Sequence, residues 1–431
     1  MEKNKTNFSI FIIGALFFVF GFVTWLNNVL IPFLQTSCEL TSTQASFVNF
    51  AFYISYFVMA IPSSYILKKT GFANGMSLGL IVMAIGSIIF VPAALDRNFA
   101  LFLIGLFVQG TGLALLQTAA NPYVTILGPI ESAAKRQSIM GVCNKVAGMI
   151  GMLVLYSAIF SGSEGLINEI KTITESLAKF ESLHIEPPTH LIMEKTQLLT
   201  ELSRNVILPY IIMTVVLIAL MLFVKTAKLP EINEDTNVDE EQNSKKSVFA
   251  FPYLWIGIVA LFFYVGAEVV SVTYLPQYGK FMGFTENVSN NFGIFALISF
   301  VVGYLLGIVL VPKVITQRMA GIINLLLALI LLTIALTSTG IVSIIAVILL
   351  SFTNAILWPA IWPLSIQGLG RHTKLGSAFL IMAIAGGGVL SVIYGRFSVL
   401  CNPQTAYSIL YVAYGFMLFF VTIGCKIKKW N

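Results

Sequence analysis

Long apolar stretches of this chain are interrupted, well inside them, by a short set of side chains that can hydrogen-bond or carry charge. Trp25, Asn27 and Asn28 stand in the first such stretch, Gln109, Gln117, Thr118 and Asn121 in the fourth, and Asn144 and Lys145 in the fifth. The second half of the chain adds Tyr264, Glu268, Thr273 and Gln277, then Asn291, then Asn354, Trp358 and Trp362. An amide offers a donor and an acceptor at once, which a neutral ring with several hydroxyls requires. A Trp offers a flat apolar face to the C–H side of such a ring while its N–H stays free to donate. Recognition of a neutral polyol is the chemistry this set suits. Asn27, Asn28, Gln117, Asn121, Asn144 and Trp358 are its expected binding residues. The competing reading of any single amide is a hydrogen bond that glues helices together.

Of 19 acidic residues only Glu268 lies deep in an apolar stretch, and Lys145 is the only base so placed. Ionisable groups in such a setting are costly and pair with one another or serve a solute pathway. The two are therefore expected either to act in coupling or to form a charge pair. Three histidines and four cysteines show no ligand spacing, so no metal site is expected. A disulfide between Cys38 and Cys401 is conceivable, but free thiols are the better reading. No nucleophile stands with a base, so no catalytic residues are expected and a membrane-embedded enzyme is disfavoured.

The elements that must hold these groups follow from composition. Hydrophobic residues make up 57% of 431, charged residues 10%, and the mean hydropathy is +0.89. A bilayer core needs about 20 residues of helix to cross it. Apolar runs of that length predict spans near 8–33, 45–67, 73–95, 98–127, 136–160 and 204–227, then 251–280, 289–311, 318–338, 341–369, 373–398 and 403–426. The basic, apolar N-terminus has no small-residue cleavage signature and reads as an uncleaved first span. The charged segment 228–250 reads as a cytoplasmic linker between an N-terminal half, 1–227, and a C-terminal half, 251–431. With both termini inside, 17 basic residues fall on the cytoplasmic side and seven outside, as the positive-inside rule requires. The net charge of +6 is thus punctuation between spans and not a nucleic-acid surface. The long external stretch 161–203 carries an amphipathic helical pattern, expected on the membrane surface.

A weak internal repeat supports two related halves. NPYVTILG (121–128) and WPLSIQGLG (362–370) each close a Pro-containing helix on Gly, and Arg136 precedes Gly148 by the same twelve residues that separate Lys374 from Gly386. Repeated halves with a site between them are common among secondary transporters.

WLNNVLIPF (25–33), LLQTAANPYVTILGP (115–129), YVGAEV (264–269) and WPAIWPLSIQGLGRHTKLGSAFLIMAIAGGG (358–388) give the chain a resemblance to the major facilitator superfamily. Within it, the chain resembles the fucose and glucose/galactose permease family. KKTGFANG (68–75) is similar to a degenerate form of the superfamily's basic loop between spans 2 and 3. The resemblance implies an all-α membrane protein of twelve helices in two pseudo-symmetric halves in a bacterial inner membrane. It implies alternating-access uptake of a neutral monosaccharide, with H⁺ or Na⁺ as coupling ion and no other cofactor; a monomer is expected. Proton-coupled fucose members carry an Asp and a Glu where this chain has Asn28 and Gln117. Gln117 with Glu268 is similar to the glucose/galactose branch, which favours Na⁺ over H⁺. The alternatives are a permease for an amino sugar or anionic sugar derivative, with Lys145 as counter-charge, an uncoupled facilitator, or a sensor that does not transport.

Overall fold

The computed structural model describes residues 2–126, 132–160, 163–226 and 247–429. The side chains of residues 2–10, Asn27, Asn28, Ser42, Ser46, Ile126, Glu164, Asn287, Arg371 and Lys374 lie outside that description. So do residues 227–246, and with them most of the expected linker.

Every long element is a helix. In the first half these are α1 (Glu2–Ser37), α2 (Ser42–Leu95), α3 (Phe99–Ile126), α4 (Ala133–Phe160), α5 (Glu164–Ser182), α6 (Thr189–Arg204) and α7 (Ile207–Thr226). The second half contains α8 (Pro252–Thr273), α9 (Leu275–Phe281), α10 (Glu286–Leu310), α11 (Gln317–Thr337), α12 (Gly340–Asn354) and α13 (Leu357–Ile366). It closes with α14 (Thr373–Met382), α15 (Gly386–Leu400), α16 (Pro403–Ala406) and α17 (Ile409–Thr422).

Eleven helical stretches among the described residues are long and apolar enough to cross a bilayer. They make twelve crossings, because α2 is two spans. Its 54 residues would run about 80 Å as one rod, more than twice a bilayer core. At Gly71 the backbone takes φ 74°, ψ 175°, a conformation that only glycine adopts without strain. The chain doubles back there, so Gly75 comes to rest against Leu67. The connection between the second and third spans is thus a single glycine.

Helix ends are held by local chemistry. Thr41 and Gln44 form a reciprocal capping box at the start of α2. Arg136 donates from Nε to the Val124 carbonyl at 2.8 Å and from Nη2 to the Thr125 carbonyl at 2.7 Å, closing the end of α3. In the second half Arg318 does the same for α17, at 2.7 Å to Val421 and 2.6 Å to Thr422. A guanidinium is suited to this because helix C-termini expose unpaired carbonyls and partial negative charge.

Over 161–203, where one amphipathic helix is expected, the described residues form two, α5 and α6, packed on each other. Their apolar faces are buried at Ile170, Ile173, Leu199 and Leu202. Ser203 Oγ donates to the Ala94 carbonyl at 3.0 Å, and Asn205 donates to the Ile159 carbonyl at 3.0 Å. Glu39 bridges this hairpin to the body, pairing with Lys195 at 2.7 Å and Arg97 at 3.4 Å. Burial raises the Glu39 carboxyl, but the Lys195 hydrogen bond and the two positive charges outweigh it and hold the group below the usual glutamate range.

Breaks in the second half fall beside the functional groups. Pro359 has no N–H for the Ala355 carbonyl, and its ring crowds that carbonyl, which favours a kink there. The chain kinks at Ala355–Ile356 between α12 and α13. A second break, a 3₁₀ turn over Ala383–Ala385, separates α14 from α15. Irregular backbone at such depth is tolerated where protein or a cavity surrounds it.

Candidate functional site

One cavity lies between the halves, with about 100 Å³ open to the centres of water molecules. Its wall from the first half comprises Thr24, Trp25, Tyr53, Tyr56, Gln117, Asn121, Gln137, Asn144 and Lys145. Tyr264, Glu268, Tyr304 and Trp358 come from the second half.

The first-half amides are oriented by neighbours. Trp25 Nε1 donates to Asn144 Oδ1 at 3.2 Å, leaving the Asn144 amino group as the donor for a ligand. Trp25 is itself placed by Gly148, whose missing side chain makes room for the indole. Gln117 Nε2 donates to the Tyr56 hydroxyl at 3.1 Å and keeps its carbonyl oxygen as an acceptor. Asn121 Nδ2 donates to the backbone carbonyl of Gln117 at 3.1 Å, and Gln137 Nε2 to Thr125 Oγ1 at 3.2 Å. Their other ends are unmet: Asn121 Oδ1 and Gln137 Oε1 are buried without a hydrogen-bond partner. A buried acceptor left alone costs about 1–3 kcal/mol.

Across the cavity stands an aromatic wall. Trp358 is half-buried and lines the space, with Trp362 stacked behind it at 5.2 Å and 18°. Tyr264 meets Trp358 at 6.0 Å and 54°. Trp362 is fully buried, so it supports Trp358 without reaching the cavity.

Lys145 and Glu268 meet as an ion pair. The ammonium lies 4.3 Å from the Trp25 ring centre and 4.6 Å from that of Phe300, within cation–π range. These are the only charged residues on the cavity wall among the described residues.

The halves touch on both sides of this space. Toward the hairpin end Gly387 and Gly388 lie against Tyr53 and Phe50, and toward the other end Gly141 lies against the ring of Tyr304. There α14 also packs on α2 and α3.

Among the expected binding residues, Gln117, Asn121, Asn144 and Trp358 line the cavity. Asn27 and Asn28 sit on α1, but their side chains lie outside the described set. Other polar groups go to packing: Gln109 donates to Ser87 at 2.8 Å, Thr118 to the Ala114 carbonyl at 2.7 Å, and Asn354 to Ser271 at 3.5 Å. Gln277 and Asn291 are exposed. All four cysteines are free. Tyr53, Tyr56, Tyr304 and Gln137 were not singled out by sequence. Tyrosine gathers at membrane interfaces, so three of them near mid-span, besides Tyr264, are the signal that would have found the tyrosines.

The family model for the Major Facilitator Superfamily matches residues 13–168 and 196–392. The chain belongs to the major facilitator superfamily, a multi-pass inner-membrane transporter and not an enzyme. Its relatives include a glucose/galactose transporter from Brucella abortus, 30% identical over 99% of this chain and 96% of that protein. The L-fucose–proton symporter of Escherichia coli is 30% identical over 88% of this chain and 84% of that one. Among solved structures, the major facilitator superfamily transporter FucP in its outward conformation matches with a TM-score of 0.74. It is 28% identical over 96% of this chain and 98% of that one.

Proposed function

We propose that this chain imports a neutral monosaccharide across the inner membrane by alternating access of its two halves, 1–227 and 251–431, joined by a cytoplasmic linker, with both termini inside. The observation that carries this is the wall of the cavity. It combines donors and unmet acceptors on Gln117, Asn121, Gln137 and Asn144 with the stacking face of Trp358. Amides grip hydroxyls and the indole covers a sugar's C–H face. Asn27 and Asn28 are assigned to the same site by sequence position. A neutral ligand is favoured over an acidic or amino sugar because Lys145 and Glu268 already neutralise each other. The relatives named above carry glucose, galactose and fucose, which supports a hexose.

For coupling, Asn28 and Gln117 cannot titrate, which leaves Glu268 as the one carboxylate on the cavity wall among the described residues. A proton is the coupling ion we propose for it. A proton symporter stands among the relatives, and nothing supports the Na⁺ favoured from sequence. Replacing Glu268 with Gln should abolish accumulation driven by a pH gradient while sugar exchange persists. Accumulation that survives in Glu268→Gln removes Glu268 from coupling.

A further inference from the structure

Of the side-chain hydrogen bonds and ion pairs whose partners are both described, a single one crosses from the first half to the second, Lys145 to Glu268. Elsewhere the meeting of the halves is one of shape, with Gly141 and Gly387 under the rings of Tyr304 and Tyr53 and Gly388 against the backbone of Phe50. Both charges are withdrawn from solvent, with 5% and 12% of their side chains exposed. The other groups facing the pair are uncharged: the phenol of Tyr264 from the helix of Glu268 itself, and from neighbouring helices the phenols Tyr53 and Tyr304 and the rings of Trp25 and Phe300. A movement that parts the halves at this point breaks the contact. A buried charge that loses its opposite charge is far more costly than the pair itself is favourable.

We propose that the Lys145–Glu268 pair is a latch whose carboxylate is contested by the ammonium and the transported proton. In the empty carrier the ammonium neutralises Glu268, so the halves close over a cavity with no net charge. When the cavity is open the pair is parted, and Glu268 takes a proton from water on that side. A sugar then fills the space between the two groups, its hydroxyl oxygen accepting from the Lys145 ammonium, which stays charged against Trp25 and Phe300. With sugar in place but no proton, closure would bury a lone carboxylate, so the loaded carrier closes only when protonated. On the far side the proton leaves Glu268 for water, the sugar departs and the ammonium returns. This deepens the transport function proposed above and rests on it for the proton's role. The latch is open to test with no sugar present.

The test uses the full chain in nanodiscs, with Cys38, Cys143, Cys401 and Cys425 replaced. Spin labels go at Asp96 and Thr337 on the hairpin face, and in a second sample at Lys69 and Lys313 on the opposite face. Distances are measured by pulsed electron resonance without sugar. Lys145→Met and Glu268→Gln should each lower the ratio of closed to open carrier at least tenfold at neutral pH. The double variant should restore it, since no charge is then buried. Acid should close Lys145→Met by protonating Glu268 and should leave Glu268→Gln open, a difference that a merely structural pair would not produce. Single variants with the wild-type distribution overturn the latch. So does a double variant as open as the single ones, or a Lys145→Met protein that acid leaves open. Sugar counterflow is measured on the same proteins. Its absence in wild type would refute the sugar reading and leave the distance result standing.

Discussion

Trp358→Ala removes the cavity's stacking face, and the structure sets the size of the loss. The indole is held flat by Trp362 at 5.2 Å and 18°, so it presents one fixed plane. A pyranose laid on it hides roughly 60–80 Å² of apolar surface in total, worth about 1.5–2 kcal/mol at 25 cal/mol per Å². Affinity should therefore fall about ten- to thirtyfold. Trp358→Phe keeps most of a ring face and should lose only about threefold, at most ~0.7 kcal/mol. Equilibrium binding of radiolabelled sugar to purified protein reads both, with thermal stability as a check on folding. Equal losses in the two variants, or none in either, would refute stacking and leave Trp358 a packing residue like Trp362.

Gly141→Ala should cut transport at least tenfold while leaving sugar binding within about threefold, because the new Cβ would sit 2.4 Å from the Tyr304 ring and hold the halves apart. Adding Tyr304→Ala should restore flux, and failure to do so would locate the defect within α4. Asn121→Leu should weaken the parent sugar about tenfold, near 1–1.5 kcal/mol for one hydrogen bond. It should not weaken the deoxy analogue that lacks the matching hydroxyl; an equal loss for every analogue counts against the contact. Glu39, held low by Lys195 and Arg97, stabilises the docked hairpin above its unfolded-state value of about 4.3. That stabilisation is lost as pH falls through the lowered folded value. The protection of the Thr189–Arg204 amides, taken relative to their intrinsic exchange rate at each pH, should therefore fall in acid, and Glu39→Gln should flatten the dependence; unchanged protection would show that the pair does not hold the hairpin.

Much of the architecture was legible because lipid constrains a chain strongly: apolar runs of fixed length must be helices, and polar groups inside them need a reason. That logic singled out Gln117, Asn121, Asn144, Trp358 and the two charges, which line the cavity. It could not separate them from Gln109, Thr118 and Asn354, since whether an amide faces a partner helix or a cavity depends on rotation about the helix axis, which these nearly uniform helices leave unmarked. It passed over Tyr53, Tyr56 and Tyr304, whose rings read as hydrophobic while their hydroxyls line the site. Gly71 was visible as a glycine in a basic connection but not as the entire turn, because a positive φ leaves no trace beyond the residue type. The meeting of Lys145 and Glu268, 123 residues apart, was one of two outcomes the residues allowed; only packing of the halves distinguishes them.

The most direct test of the account is counterflow in proteoliposomes loaded with one neutral hexose at a time, among them glucose, galactose and fucose, with hexuronates and hexosamines as competitors. The account predicts that at least one neutral hexose drives uptake of its labelled form, that a proton gradient directed inward adds accumulation, and that the charged sugars compete poorly. Exchange supported by a hexuronate or a hexosamine, with no neutral hexose active, would contradict it.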